Sequence, residues 1–209
     1  KEKQMKFLTR KKWNNGDLTQ SPIKLKRTNA HHEVRIKGDV DDCFSLACPK
    51  AELNWIDGWQ FDMIYSESGK NEKNCIFLEA FSGPVVLRSP GLNTYWYTTL
   101  YDPENHRCHF VLLSQKPVIA KLEIHMDALP DGNTSIKWDL TYTALSVEGN
   151  KIIREKNFKD RMSNMINFLG LSAKHYMETG KIYKLPHKRK LDLALSIAGA
   201  RVKKHFLHV

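Results

Sequence analysis

Two stretches of strict alternation, and the helical stripe that follows them, constrain this chain more than any other feature. Val118, Ala120, Leu122, Ile124 and Met126 alternate with Lys121, Glu123, His125 and Asp127. After a turn at Asp131-Gly132-Asn133, Ile136, Trp138, Leu140, Tyr142 and Ala144 alternate with Lys137, Asp139, Thr141 and Thr143. Successive side chains of a strand point to opposite faces, so each strand has one dry face and one wet face. That pattern belongs to an antiparallel sheet covered on one side. The cover comes next in the chain. Phe158, Met162, Met165, Ile166, Leu169, Ala173, Tyr176 and Met177 fall on one apolar stripe of a long helix that runs to Gly180. Gly170 interrupts this helix at a cost of about 1 kcal/mol relative to Ala, which points to a kink or a close approach.

The earlier half supplies the rest of the sheet. Val34 and Ile36 alternate with Glu33, Arg35 and Lys37 in a first strand beginning at His31. Asp41 to Ala47 reads as a short helix stopped by Pro49, and Ala51 to Gly58 as a second one. Strands follow at Trp59–Ser66, Cys75–Phe81, Thr94–Tyr101 and Arg107–Ser114, separated by turn residues such as Ser68-Gly69 and Asp102-Pro103. The expected fold class is α+β: about seven antiparallel strands, two short helices after the first strand, and a long C-terminal helix.

The net charge of +10 suggests nucleic acid until it is located. Residues 1–30 carry +7, residues 181–209 another +7, and the segment between them −4. A binding groove built into the fold would hold its bases in the middle, so nucleic acid is not the expected partner. Three segments follow: a basic arm (1–30), one domain (31–180) and a basic extension (181–209). In the extension, Leu191, Leu195, Ala198, Val202 and Phe206 line one face of an amphipathic helix, flanked by Arg201, Lys203 and Lys204. Such a helix suits an anionic membrane surface or an acidic partner, or simply packs on the domain. Cys43, Cys48, Cys75 and Cys108 form no CxxC pair. With no secretory signal in Lys1 to Arg10, the expectation is reduced thiols in the cytoplasm.

Two segments resemble the START-like (SRPBCC) superfamily, which includes lipid-transfer domains and polyketide cyclases. The first is Phe44…Cys48-Pro49…Glu52-Leu53-Asn54-Trp55-Ile56-Asp57-Gly58-Trp59, and the second is Thr94-Tyr95-Trp96-Tyr97-Thr98-Thr99-Leu100-Tyr101-Asp102-Pro103. The likeness spans about His31 to Gly180. It implies a helix-grip fold, in which a curved sheet wraps the long helix and leaves a cavity between them. The two basic flanks have no counterpart in a minimal domain of this type.

Strand parity and the helix stripe nominate Trp96, Phe110, Trp138, Tyr142, Met165 and Leu169 as cavity-lining, with plain core packing as the competing role. Glu79 shares parity with Cys75, Phe77 and Phe81. It is either a carboxyl in an apolar site or a solvated one, because both faces of its strand are apolar. Glu79, His109 and Tyr142 are the candidates for acid–base chemistry. His106-Arg107-Cys108-His109 cannot converge on a metal, since His109 points away from its neighbours along the strand, and His125 lies on a wet face. No Gly-rich phosphate loop, nucleophile elbow, HExxH or triad signature is present, so neither a cofactor nor a metal is indicated. The reading that results is binding of a hydrophobic small molecule, such as a lipid, an isoprenoid or an aromatic polyketide, with Pro90-Gly91 as a candidate gate. A cyclase- or hydrolase-like enzyme in the same cavity is the second reading. An interaction module working through the basic termini is the third.

Overall fold

A computed structural model describes residues 24–79 and 94–184. In chain order the elements are β1 (Arg27–Lys37), α1 (Val40–Ser45), α2 (Pro49–Glu52), β2 (Phe61–Tyr65), β3 (Ile76–Glu79), β4 (Thr94–Asp102), β5 (Arg107–Leu113), β6 (Val118–Ala128), β7 (Asn133–Ala144), α3 (Val147–Ile153) and α4 (Phe158–Thr179). Seven antiparallel strands form one sheet in the order β1-β7-β6-β5-β4-β3-β2. This is the sheet-and-long-helix architecture that the sequence implies.

Alternation decides which face is buried. Val118, Ala120, Leu122, Ile124 and Met126 of β6 are buried, as are Ile136, Trp138, Leu140 and Ala144 of β7. The long helix α4 packs chiefly across β1 and buries Phe158, Met162, Ile166 and Ala173 of its stripe. It also buries Phe168, off the stripe, and Tyr183, just beyond the helix, lies beside that ring with centroids 6.3 Å apart. Gly180 ends α4 in the left-handed conformation at φ 66°.

Three boundaries differ from the sequence expectation. The first strand starts at Arg27, inside the segment assigned to the basic arm, because β7 extends far enough to pair with it (Arg27 opposite Thr143). Pro49 does not stop a helix but starts α2 as its first residue, where a missing N–H costs nothing. The helix α3 was not foreseen. Ser146 caps it by accepting from the N–H groups of Glu148 and Gly149, but seven residues containing Gly149 and Asn150 carry little helical propensity of their own.

Two glycines mark contacts no side chain would fit. A Cβ on Gly170 would lie 2.5 Å from Nε2 of His32, and one on Gly149 would lie 2.1 Å from the Pro117 carbonyl oxygen. The first confirms that Gly170 permits a close approach. His32 stacks beside Trp138 with centroids 6.1 Å apart, and burial pushes its pKa down, favouring the neutral ring. The two sites differ in what can yield. Urea unfolding of Gly149→Ala is expected to show a loss of about 3 kcal/mol or more, since a backbone carbonyl must move. Gly170→Ala should lose only about 1–2 kcal/mol, because the His32 ring can shift and Ala gains about 1 kcal/mol in helix propensity. Equal losses at the two positions would contradict this ranking.

Candidate functional site

The concave face of the sheet, the α1–α2 segment and α4 enclose a cavity of about 120 Å³. Trp96, Phe110, Trp138, Tyr142, Met165 and Leu169 all line it. Parity places the strand residues: Phe110 and Leu112 alternate inward on β5, as Trp138, Leu140 and Tyr142 do on β7. Aromatic rings pack along the wall both stacked and edge to face. Phe77 stacks on Trp96 at 5.5 Å, and Trp96 meets Phe110 at 5.3 Å. The turns between α2 and β2 contribute Trp55 and Trp59, whose indole N–H groups donate to the carbonyls of Leu46 (3.2 Å) and Pro49 (2.9 Å). Both indoles are thereby fixed with their apolar faces available to the cavity.

Two carboxyls face this apolar space. On β3 the Cys75/Phe77/Glu79 face is the inward one: Cys75 and Phe77 are fully buried, and Glu79 lines the cavity. Trp96 Nε1 donates to Glu79 Oε2 at 2.7 Å. Burial nevertheless lifts the Glu79 pKa to about 7, the indole bond opposing the rise. Glu52, at the end of α2, also lines the cavity, and burial together with the nearby Glu79 charge raises its pKa to about 8. Burial, reinforced by Glu79, pushes the Tyr142 hydroxyl up to about 12. At neutral pH the cavity thus holds groups that can donate a proton or hydrogen bond without carrying a full charge. Glu52 was missed as a site residue. It stands within the segment that carries the family likeness, but parity gives no direction to a residue ending a four-residue helix.

His109 does not belong to this site. Phe110 faces the cavity, so His109, its neighbour on β5, faces the opposite side of the sheet. There its Nε2 lies 3.1 Å from Nε2 of His125, and burial lowers its pKa. Of the three acid–base candidates, Glu79 and Tyr142 therefore face the cavity and His109 does not. The other members of the His106–His109 segment disperse. His106 bonds Asp41 at 2.7 Å, while the inward thiol of Cys108 accepts from Asn71 Nδ2 at 3.3 Å. The Pro90-Gly91 gate, residues 1–23 of the basic arm and the amphipathic stripe of the C-terminal extension lie outside the described residues.

The raised carboxyls set a pH dependence. The unfolded chain releases these protons near pH 4.3, the folded protein only at about 7 and 8. Between those limits the unfolded state binds fewer protons, so stability falls as pH rises from about 5 to 8. Glu79→Gln keeps an acceptor for Trp96 and removes the titration. Chemical denaturation is expected to show a flatter profile for this variant and a gain of roughly 2–3 kcal/mol over the parent at pH 8. A parallel slope in both proteins would place the Glu79 charge in water.

No family model matches the sequence, and no curated protein matches it. Solved structures do. A point mutant of norcoclaurine synthase from Thalictrum flavum, in complex with a transition-state analogue, aligns with a TM-score of 0.55 at 16% identity, covering 76% of this chain and 98% of that one. Major latex-like protein 151 of Panax ginseng aligns with a TM-score of 0.55 at 14% identity, covering 77% and 99%. The Zhui aromatase/cyclase of a Streptomyces species aligns with a TM-score of 0.55 at 10% identity, covering 76% and 100%. Among the described residues no helix is long and apolar enough to cross a membrane. Shared architecture at such low identity identifies the fold and not the ligand: this chain has the helix-grip fold that these three proteins share.

Proposed function

We propose that the protein binds a hydrophobic small molecule in the cavity between sheet and long helix, and that the bound portion is a ring-sized apolar group bearing a carbonyl or hydroxyl. One observation carries this reading: the cavity joins apolar and aromatic walls to Glu52 and Glu79, two carboxyls with strongly raised pKa values. A dry apolar cavity of about 150 Å³ is known to take up benzene, and the volume here is of that order. Burial of the ring supplies affinity, while a protonated carboxyl donates to the polar substituent and fixes its orientation. Aromatic polyketides, ring-bearing isoprenoids and lipids with a cyclic head fit this description. Open-chain lipids fit it less well.

The same pair of carboxyls supports a second reading, in which the bound molecule is also turned over. A carboxyl that titrates near 7 serves as acid or base at working pH, and the cavity supplies the orientation that a cyclisation requires. The Zhui protein, which shares the fold, is described as an aromatase/cyclase.

Native mass spectrometry of the gently purified protein, followed by solvent extraction, is expected to release one equivalent of an apolar compound. Titration with 1-anilinonaphthalene-8-sulfonate should quench the cavity tryptophans, and Ala120→Trp, which fills the space, should abolish the signal while the far-ultraviolet spectrum persists. Unchanged dye binding in that variant would sink the binding proposal. Glu79→Gln separates the two readings. Turnover collapses if the site is catalytic, whereas a pure binding site loses no more than about tenfold in affinity, the worth of one hydrogen bond.

A further inference from the structure

The face of the sheet turned away from the cavity carries a second convergence of side chains. His109 on β5 stands opposite Glu123 on β6, and His125, two residues further along β6, shares their face. The two Nε2 atoms lie 3.1 Å apart. Their ring planes differ by 16° and the centroids are 5.3 Å apart, so the rings meet edge to edge through nitrogen. Glu123 Oε1 lies 3.8 Å from His109 Nδ1, and the two side chains are 18% and 29% exposed. One donor atom from each of the three residues lies within 4.8 Å of the other two.

We propose that His109, Glu123 and His125 form a site for a divalent transition-metal ion of the zinc class, with water completing the coordination. Two imidazoles and one carboxylate are donors that zinc accepts. Metal–nitrogen bonds of about 2.0–2.1 Å at a tetrahedral angle hold two nitrogens about 3.3–3.4 Å apart, so the two Nε2 atoms, 3.1 Å apart here, need to separate only slightly. An Nε2···Nε2 hydrogen bond requires one ring to carry its N–H on Nε2; to take the ion, that ring moves the proton to its Nδ1, so that both Nε2 lone pairs face the metal. Glu123 supplies negative charge once it exchanges its present partner, Lys121 Nζ at 2.8 Å, for the ion. The surrounding charges are mixed. Arg107 and Lys137 flank His125 in register, and Asp139 stands opposite Glu123. Lys137 is held by Asp127 and Asp139 by His31, each at 2.8 Å. The sheet separates this site from the cavity, so the ion acts as a clasp between β5 and β6 and takes no part in chemistry on the cavity's occupant.

The test uses the full chain with Zn²⁺ alone by calorimetry and Co²⁺ alone by visible absorption. One equivalent is expected to bind, and Zn²⁺ should raise the unfolding temperature. His109→Asn and His125→Asn should each weaken binding by at least about tenfold and abolish the thermal shift. Lys121→Gln, which frees Glu123, should strengthen binding several-fold, while Glu123→Gln weakens it. Undiminished binding in the double His109→Asn/His125→Asn variant would locate the ion elsewhere, for instance at His187, His205 or His208, and overturn the proposal. So would the absence of stoichiometric binding at about 100 µM metal. Should the histidine variants fail to fold, the opposite responses of Lys121→Gln and Glu123→Gln decide the matter: no difference between them overturns the site.

Discussion

The concave face of a curved seven-stranded sheet offers more surface than one helix can cover, and the character of this molecule follows from that mismatch. The stripe on α4 lies mainly along β1, at one side of the sheet. The middle strands β4 to β6 must be covered by something else. The turns between α2 and β2 bring Trp55, Ile56 and Trp59 to the cavity, but bulky rings held at fixed angles do not interdigitate like a core of Leu and Ile. Space remains. Close packing is the rule in protein interiors, so a gap of this size has lost dispersion contacts that an occupant would restore.

The same geometry explains why carboxyls sit in an apolar wall. Glu79 ends β3 on the inward parity, next to Trp96, and Glu52 ends α2 over the same space. An isolated charge there would lack water, and the alternative open to a carboxyl is to keep its proton. Burial thus lets two ordinary acids hold their protons to about pH 7 and 8, Glu52 more firmly than Glu79. On the other side of the same sheet the rule reverses. There, Lys137 and Asp127 pair at 2.8 Å, and each partner favours the charged form of the other.

Much of this was legible in the sequence because parity is local information. The dry faces of β6 and β7 are written in single strands, and all six cavity residues inferred from parity and the α4 stripe line the cavity. What one strand cannot express is its partner. The meeting of His109 with His125 depends on the β5–β6 register, and the two lie 16 positions apart. Read along one strand, His109 merely points away from Cys108. Glu79 was ambiguous for a related reason: Ile76, Leu78 and Ala80 are as apolar as Cys75, Phe77 and Phe81, so composition could not choose the inward face. Pairing with Tyr97, Trp96 and Tyr95 chose it. Glu52 and α3 escaped because elements of four and seven residues are set by tertiary packing rather than by propensity.

The position of β1 also bears on how the molecule comes to exist. Its only partner among the described strands is β7, so Arg27 and Thr143, bonded side chain to side chain, are separated by 116 positions. During synthesis at roughly 5–20 residues per second, β1 emerges many seconds before the strand it pairs with. The hairpins β4–β5, β5–β6 and β6–β7 can assemble from near neighbours in the meantime, but α4 cannot settle on β1 until that strand has found its place. Loop closure over such a distance makes this step slow. Until β1 and α4 are in place, the concave face lacks the cover that α4 provides on the β1 side.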